Sequence, residues 1–76
     1  MNHQNWFNTL AEALASEGLQ DLWDGSPIAY GETMRKQVED FETMRYRTVS
    51  IYREGRGERA GMYERPIHYD AGKIAA

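Results

Sequence analysis

The sequence contains no cysteine and no long apolar run, and it has only two prolines. The lack of cysteine excludes a disulfide scaffold and thiolate chemistry, and it fits a reducing compartment. No segment approaches the roughly 18 consecutive apolar residues that can span a bilayer. The N-terminal segment also lacks the basic start and the continuous apolar stretch of a secretory signal. We therefore expect a cytoplasmic protein.

The chain nevertheless carries enough material for a core, since 41% of its 76 residues are apolar and nine are aromatic. A chain of this length is expected to form one domain. Its net charge of −3 is unevenly distributed. Residues 1–44 carry eight acidic and two basic side chains, whereas residues 45–76 carry four acidic and seven basic ones. The halves either neutralise each other on folding or leave an acidic surface for a basic partner.

A stripe of apolar residues at helical spacing predicts a first helix over residues 2–17. Asn2 is suited to the N-cap, because its side chain can accept a hydrogen bond from a free backbone N–H. Gly18 is suited to the left-handed conformation that ends a helix. Leu19 would then contact Leu14, as in a Schellman motif.

A turn over residues 19–29, with Trp23 in the core, leads to a second predicted helix over residues 31–44. Its apolar stripe has spacings of four, four, three and three, and we interpret it as core. The stripe consists of Tyr30, Met34, Val38, Phe41 and Met44.

Residues 45–65 are rich in β-branched and aromatic residues on both sides of Gly55, which predicts a β-hairpin. A turn at Gly55 and Arg56 brings opposite charges together at both ends and apolar residues in the middle. A shift by one residue in either direction pairs arginines with each other. A four-residue loop over residues 54–57 gives the same pairing. The inward pairs would be Arg53–Glu58, Ile51–Ala60, Val49–Met62 and Arg47–Glu64.

The predicted architecture is therefore an α+β fold in which two N-terminal helices pack on a C-terminal antiparallel β-hairpin. The tail over residues 66–76 either adds a short third strand or stays irregular. No pattern in the chain is typical of catalysis. His68 and Asp70 are two apart, but no third metal ligand is signalled, and we interpret His68 as an ordinary strand histidine. We predict no enzymatic activity, no metal and no cofactor.

Two candidate binding surfaces follow from the predicted fold. The first is an acidic face of the second helix, formed by Glu32, Glu39, Asp40 and Glu42. The second is the outer face of the hairpin, whose tyrosines and arginines are typical of protein-binding hot spots and equally of a solvated sheet face. Its members are Tyr46, Tyr52, Arg56, Arg59, Tyr63 and Arg65.

These surfaces lead to the hypothesis of a small non-enzymatic protein-binding module, an inhibitor or adaptor of a host protein complex. In type only, the short, acidic, cysteine-free chain resembles small anti-defence proteins of phages and mobile elements, for example anti-CRISPR inhibitors. The partner is expected to be a host protein or protein complex. If that partner is a nucleic-acid-binding machine, the acidic residues would occupy its basic groove in place of phosphates.

Two alternatives remain open. One is a self-associating structural subunit that pairs through the edge of the hairpin. The other is a nucleic-acid-binding regulator, which would need several basic residues free on one face. It would act through Arg45, Arg47, Arg56, Arg59 and Tyr52.

Overall fold

A computed structural model of the chain describes residues 4–75, which form one short helix and five strands in two antiparallel sheets. Strands β2, β3 and β5 form a three-stranded sheet with β3 in the centre, and β1 pairs with β4. The elements are β1 (Trp6–Phe7), α1 (Leu10–Ser16), β2 (Thr33–Asp40), β3 (Arg45–Tyr52), a 3₁₀ turn (Gly57–Arg59), β4 (Tyr63–Glu64) and β5 (Ile67–Lys73). The predicted arrangement of two helices on a hairpin is therefore wrong.

The second helix predicted over residues 31–44 is the largest error, because β2 and its turn occupy this segment. Met34 and Val38 are four residues apart, a spacing that places both on one face of a helix and also on one face of a strand. In the strand Lys36 shares that face, and its ammonium lies 5.3 Å from the centre of the Trp23 ring. The rest of the predicted stripe is exposed outside the strand: Tyr30, Phe41 and Met44.

The first helix is shorter than the predicted range of residues 2–17, because α1 begins after Thr9. The backbone N–H of Glu12 donates to Thr9 Oγ1 at 3.1 Å, and the Thr9 hydroxyl donates to the Glu12 carboxylate at 3.0 Å. Thr9 is therefore the N-cap of α1, because its side chain accepts from a backbone N–H that has no partner within the helix. The predicted N-cap at Asn2 lies outside the described residues.

The predicted end of the first helix is confirmed. Gly18 has a φ of +68°, in the left-handed region that glycine adopts without strain. Leu19 N–H donates to the Leu14 carbonyl at 2.9 Å, and Gly18 N–H donates to the Ala15 carbonyl at 3.2 Å. Both hydrogen bonds of a Schellman motif are present.

The first strand of the predicted hairpin is confirmed as β3, but the predicted return strand is wrong. Residues 54–62 form a loop with a 3₁₀ turn, in which Gly57 and Gly61 have φ values of +80° and +84°. The strand that pairs with β3 is β5, where His68 lies opposite Val49. The predicted tail therefore adds a third strand, which is the first of its two alternatives.

The core lies between one face of the three-stranded sheet, here called the covered face, and the layer formed by α1 and the segment after it. Trp23 belongs to it, as predicted. Tyr63 also belongs to it and is only 9% exposed, so its predicted place on an outward face is wrong, whereas Ala60, predicted inward, is exposed. The core consists of Phe7, Ala13, Leu14, Leu19, Trp23, Ile28, Val49, Ile51 and Tyr63.

The opposite face of the sheet, here called the open face, carries the alternate side chains of the strands, and those of its central strand are half-buried. Its central strand contributes Tyr46, Thr48, Ser50 and Tyr52, and β5 contributes Ile67 and Tyr69. Among residues 4–75, no helix is long and apolar enough to cross a membrane.

Candidate functional site

A concave groove of about 390 Å³ lies between the end of α1 and the tip of the β2–β3 hairpin. Its walls carry five carboxylates and one guanidinium, and we call it the acidic groove. Its lining consists of Glu17, Gly18, Leu19, Asp21, Leu22, Glu39, Asp40, Phe41, Glu42, Thr43 and Arg47.

The hairpin side of the groove is shaped by Asp40, the last residue of β2. Its carboxylate accepts the backbone N–H groups of Glu42 at 3.1 Å and Thr43 at 3.4 Å, which closes the turn over residues 41–44. Arg47 Nε donates to the other carboxylate oxygen at 2.9 Å. This turn holds Phe41 at the groove with 64% of its surface exposed.

The carboxyl group of Asp40 stays ionised although it is only 7% exposed. Burial opposes its ionisation, but hydrogen bonds from Thr43, Glu42 and Arg47 outweigh burial and hold its pKa below the usual range. The bond to Arg47 is also an ion pair across the hairpin. Asp40 therefore serves mainly to build the groove wall.

The helix side of the groove follows from the end of α1. Because the chain reverses at Gly18, Leu19 is buried in the core while Asp21 and Leu22 reach the groove. Glu17 accepts from Arg65 Nη1 at 2.9 Å, and this bond, together with one to His68, holds its pKa below the usual range against the effect of burial.

A network of polar side chains connects the two sides beneath the groove. Arg47 Nη1 lies 3.1 Å from Nδ1 of His68, and His68 Nε2 lies 3.2 Å from Glu17 Oε1. Because a guanidinium only donates, Nδ1 accepts, and Nε2 carries the proton that is directed at Glu17. The histidine therefore joins α1 to the sheet and does not form a pair with Asp70, which binds Arg45.

Three acidic residues of the groove are free to act on a ligand. Asp21, Glu39 and Glu42 are exposed and form no salt bridge with any residue of the described range 4–75. Phe41 is exposed in the turn, where it lies between Asp40 and Glu42 in the sequence. An aromatic ring near carboxylates suits a lysine or arginine side chain, because the ring face and the carboxylates both attract a cation.

The structure brings together three of the four residues of the predicted acidic face. Glu39, Asp40 and Glu42 all line the groove. Glu32 precedes β2, and the eight residues of that strand separate it from Asp40 by roughly 26 Å. The prediction of one acidic helix face is wrong, because the segment is a strand and its turn.

The predicted outer face of the hairpin is only partly formed. Tyr46 and Tyr52 lie on the open face, where Tyr52 stacks edge-on against Trp6 with ring centres 6.3 Å apart. Arg56 is exposed in the loop, and Tyr63 is buried with the Arg53 guanidinium 4.7 Å from its ring.

The other arginines of both predicted sets are held by neighbours within the chain. Arg65 binds Glu17, and the Arg59 guanidinium lies 5.0 Å from the centre of the Trp6 ring. Arg45 binds Asp70 and Arg47 binds Asp40. Fewer basic side chains are therefore free to bind nucleic acid in the folded protein than the sequence alone suggests.

Sequence reasoning missed Glu17, Asp21 and Phe41 as members of the groove. Phe41 was predicted to lie in the apolar core stripe of a second helix. Glu17 and Asp21 belong to the end of α1 and the segment after it, which the sequence did not place beside the hairpin. The signal available in the sequence was Asp40 followed by Thr43, a spacing at which an aspartate closes a turn. That signal marks the hairpin tip but gives no indication that α1 ends beside it.

No three side chains suited to binding a metal cluster together within residues 4–75. The chain matches none of the protein-family models, curated proteins or solved structures with which it was compared.

Proposed function

We propose that the chain is a non-enzymatic protein-binding module that inhibits a host protein complex or acts as an adaptor for it. The observation that supports this proposal is the acidic groove, which holds Asp21, Glu39 and Glu42 beside an exposed Phe41. Aromatic side chains are enriched at protein-binding interfaces, where they supply much of the contact area.

The groove favours a basic element of the partner, such as a loop or helix that carries arginine or lysine. Its net charge from the lining residues is −4, since five carboxylates face one guanidinium. A second cavity of about 600 Å³ adjoins the groove and is lined by Lys36, Gln37 and Val38 of β2, which gives an extended segment room to follow the strand. Opposite charges across such an interface speed association and fix the register.

A nucleic-acid-binding machine is the class of partner that best fits this chemistry, because its own binding groove is basic. In the proposal, Glu39, Glu42 and Asp21 take the place of phosphates. The anti-defence class of phage proteins, with anti-CRISPR inhibitors as its example, is supported only by the short, acidic, cysteine-free chain. Action in the cytoplasm of a host cell belongs to the same proposal.

The test is affinity capture of the tagged chain from a host lysate treated with nuclease, read by mass spectrometry and repeated with two charge-reversed variants. The groove variant is Glu39→Lys with Glu42→Lys. The control variant is Glu58→Lys with Glu64→Lys, which changes the net charge equally at exposed positions outside the groove.

We expect the wild-type chain and the control to retain one stoichiometric protein, and the groove variant to lose it at least tenfold. Raising the salt concentration should weaken the captured complex, because exposed charges are screened. Equal losses in both variants would assign the effect to net charge, and no loss in either would remove the groove from the interface. Capture that disappears with nuclease would instead support the nucleic-acid alternative.

A further inference from the structure

We propose that a second copy of this chain pairs with the free edge of β5, so that two three-stranded sheets join into one six-stranded sheet. This inference goes beyond the proposed function and does not depend on it. It concerns the outer edge of β5, a strand that does not line the acidic groove.

The two edges of the sheet differ in how they are protected. Because β3 is central, β2 and β5 each have one outer edge, and neither pairs with another strand there within residues 4–75. An open edge presents unpaired N–H and C=O groups, and natural proteins guard such edges with charged side chains. Strand β2 follows that rule, since four of its eight residues are charged: Arg35, Lys36, Glu39 and Asp40.

In strand β5 this protection is confined to the second half, where Lys73 and a β-bulge at Ala71 guard the edge, and the first half presents apolar side chains on the open face. Ile67 is 66% exposed and Tyr69 is 53% exposed. Its polar side chains are held elsewhere, since His68 contacts Arg47 and Glu17, and Asp70 binds Arg45. The edge therefore displays apolar side chains beside unpaired backbone groups, which favours the addition of another strand.

The sequence of β5 is complementary to itself in the antiparallel sense. A two-fold axis at Tyr69, perpendicular to the sheet, places Tyr69 opposite its own copy and Ile67 opposite the β-bulge at Ala71 of the second chain. His68 then lies opposite Asp70, so no like charges meet. The same axis keeps both covered faces on one side, as in the closed two-fold dimers that are common among soluble proteins.

The pairing leaves the proposed binding site open. No residue of β5 lines the acidic groove, and its lining residue Glu17 contacts β5 only through His68 on the covered face, so pairing at the outer edge of β5 leaves the groove of each copy open. Contact through one strand edge buries less than the roughly 1,200 Å² of a stable interface, so we expect a dissociation constant in the micromolar range.

The experiment is sedimentation equilibrium of the full chain from about 1 µM to about 1 mM, with two variants. Tyr69→Lys places two lysines opposite each other at the axis. Thr33→Lys puts the same side chain on the same face at the other edge and serves as the control. Circular dichroism checks that both variants fold.

For the wild-type chain and for Thr33→Lys, we expect the mass to rise from 8.8 kDa toward twice that value with concentration. Tyr69→Lys should remain at 8.8 kDa throughout. As a second measurement, the amide protons of β5 should exchange more slowly at high than at low concentration, while those of β2 should not change. A wild-type monomer at 1 mM, or loss of the dimer in Thr33→Lys alone, would overturn the inference.

Discussion

The covered face of the sheet has an apolar half and an ionic half, and they are stabilised in different ways. In the apolar half, Val49 and Ile51 are almost completely buried against the residues of α1 and the loop that follows. In the ionic half, Arg47, Asp40 and His68 form hydrogen bonds and ion pairs with each other and with Glu17. The two halves meet within a single strand, β3.

The lengths of the elements explain this division. Helix α1 has seven residues and spans only about 10 Å, whereas the eight residues of β3 span about 26 Å. The helix can therefore cover only part of the sheet with apolar side chains. The remaining part borders on solvent, where polar partners cost less to bury. The acidic groove opens in this ionic half.

The largest expected effect is in the apolar half. Ile51→Ala should lower the free energy of unfolding by about 3 kcal/mol, because it leaves a cavity in a core of few residues. Urea denaturation measures this loss, and Ser50→Ala on the open face is the control with an expected change below about 0.5 kcal/mol. A small loss for Ile51→Ala would mean that the core does not lie where the covered face places it.

A smaller effect is expected in the ionic half. Asp40→Ala removes the acceptor of two backbone N–H groups and the partner of Arg47, so the melting midpoint should fall by roughly 5–10 °C. Glu42 is an exposed neighbour that forms no salt bridge in the described part of the chain, so Glu42→Ala should change the melting midpoint little. Equal effects of the two substitutions would show that the turn does not depend on Asp40.

The smallest expected effect is a dependence of stability on pH, which the ionic half should show and the apolar half should not. The pKa values of Glu17 and Asp40 lie below their ordinary values of 4.5 and 3.8, so their stabilising contribution is complete above those values and is lost as the pH falls through the lowered pKa values. Stability should therefore decline as the pH drops below about 4.5. Glu17→Gln should reduce that decline, because glutamine has no carboxylate to protonate.

The control for this comparison is Ile51→Val, which belongs to the apolar half. It should lower the melting midpoint by a similar amount at every pH, because it removes a methylene group and no charge. If Glu17→Gln left the acid decline unchanged, the bonds from Arg65 and His68 to Glu17 would contribute nothing to stability in solution.

The parts of the fold that sequence could predict are those fixed by short-range chemistry. Gly18 and Leu19 end α1 as expected, because a Schellman motif needs only a glycine and an apolar contact five residues apart. Strand β3 was also expected, since β-branched and aromatic residues are concentrated in this segment. Both features depend on residues that are close together in the chain.

The predictions are wrong where the same local sequence pattern is compatible with two different structures. The spacing of Met34 and Val38 fits a helix and a strand, and the pairing of β2 with β3 along all eight residues, a tertiary contact, stabilises the strand. The hairpin register was compared only with shifts of one residue, while the true pairing joins β3 to residues beyond Pro66. The groove could not be predicted, because it requires both the strand and the end of α1 to be placed correctly.

The different loops on the two sides of β3 set an order in which the sheet can assemble. Four residues connect β2 to β3, whereas β3 and β5 are separated by residues 53–66. Closing the shorter loop costs less chain entropy, and a local hairpin forms within microseconds. The hairpin that carries Phe41 and Glu42 is therefore the part of the molecule that can form first, and β5 completes the sheet afterwards.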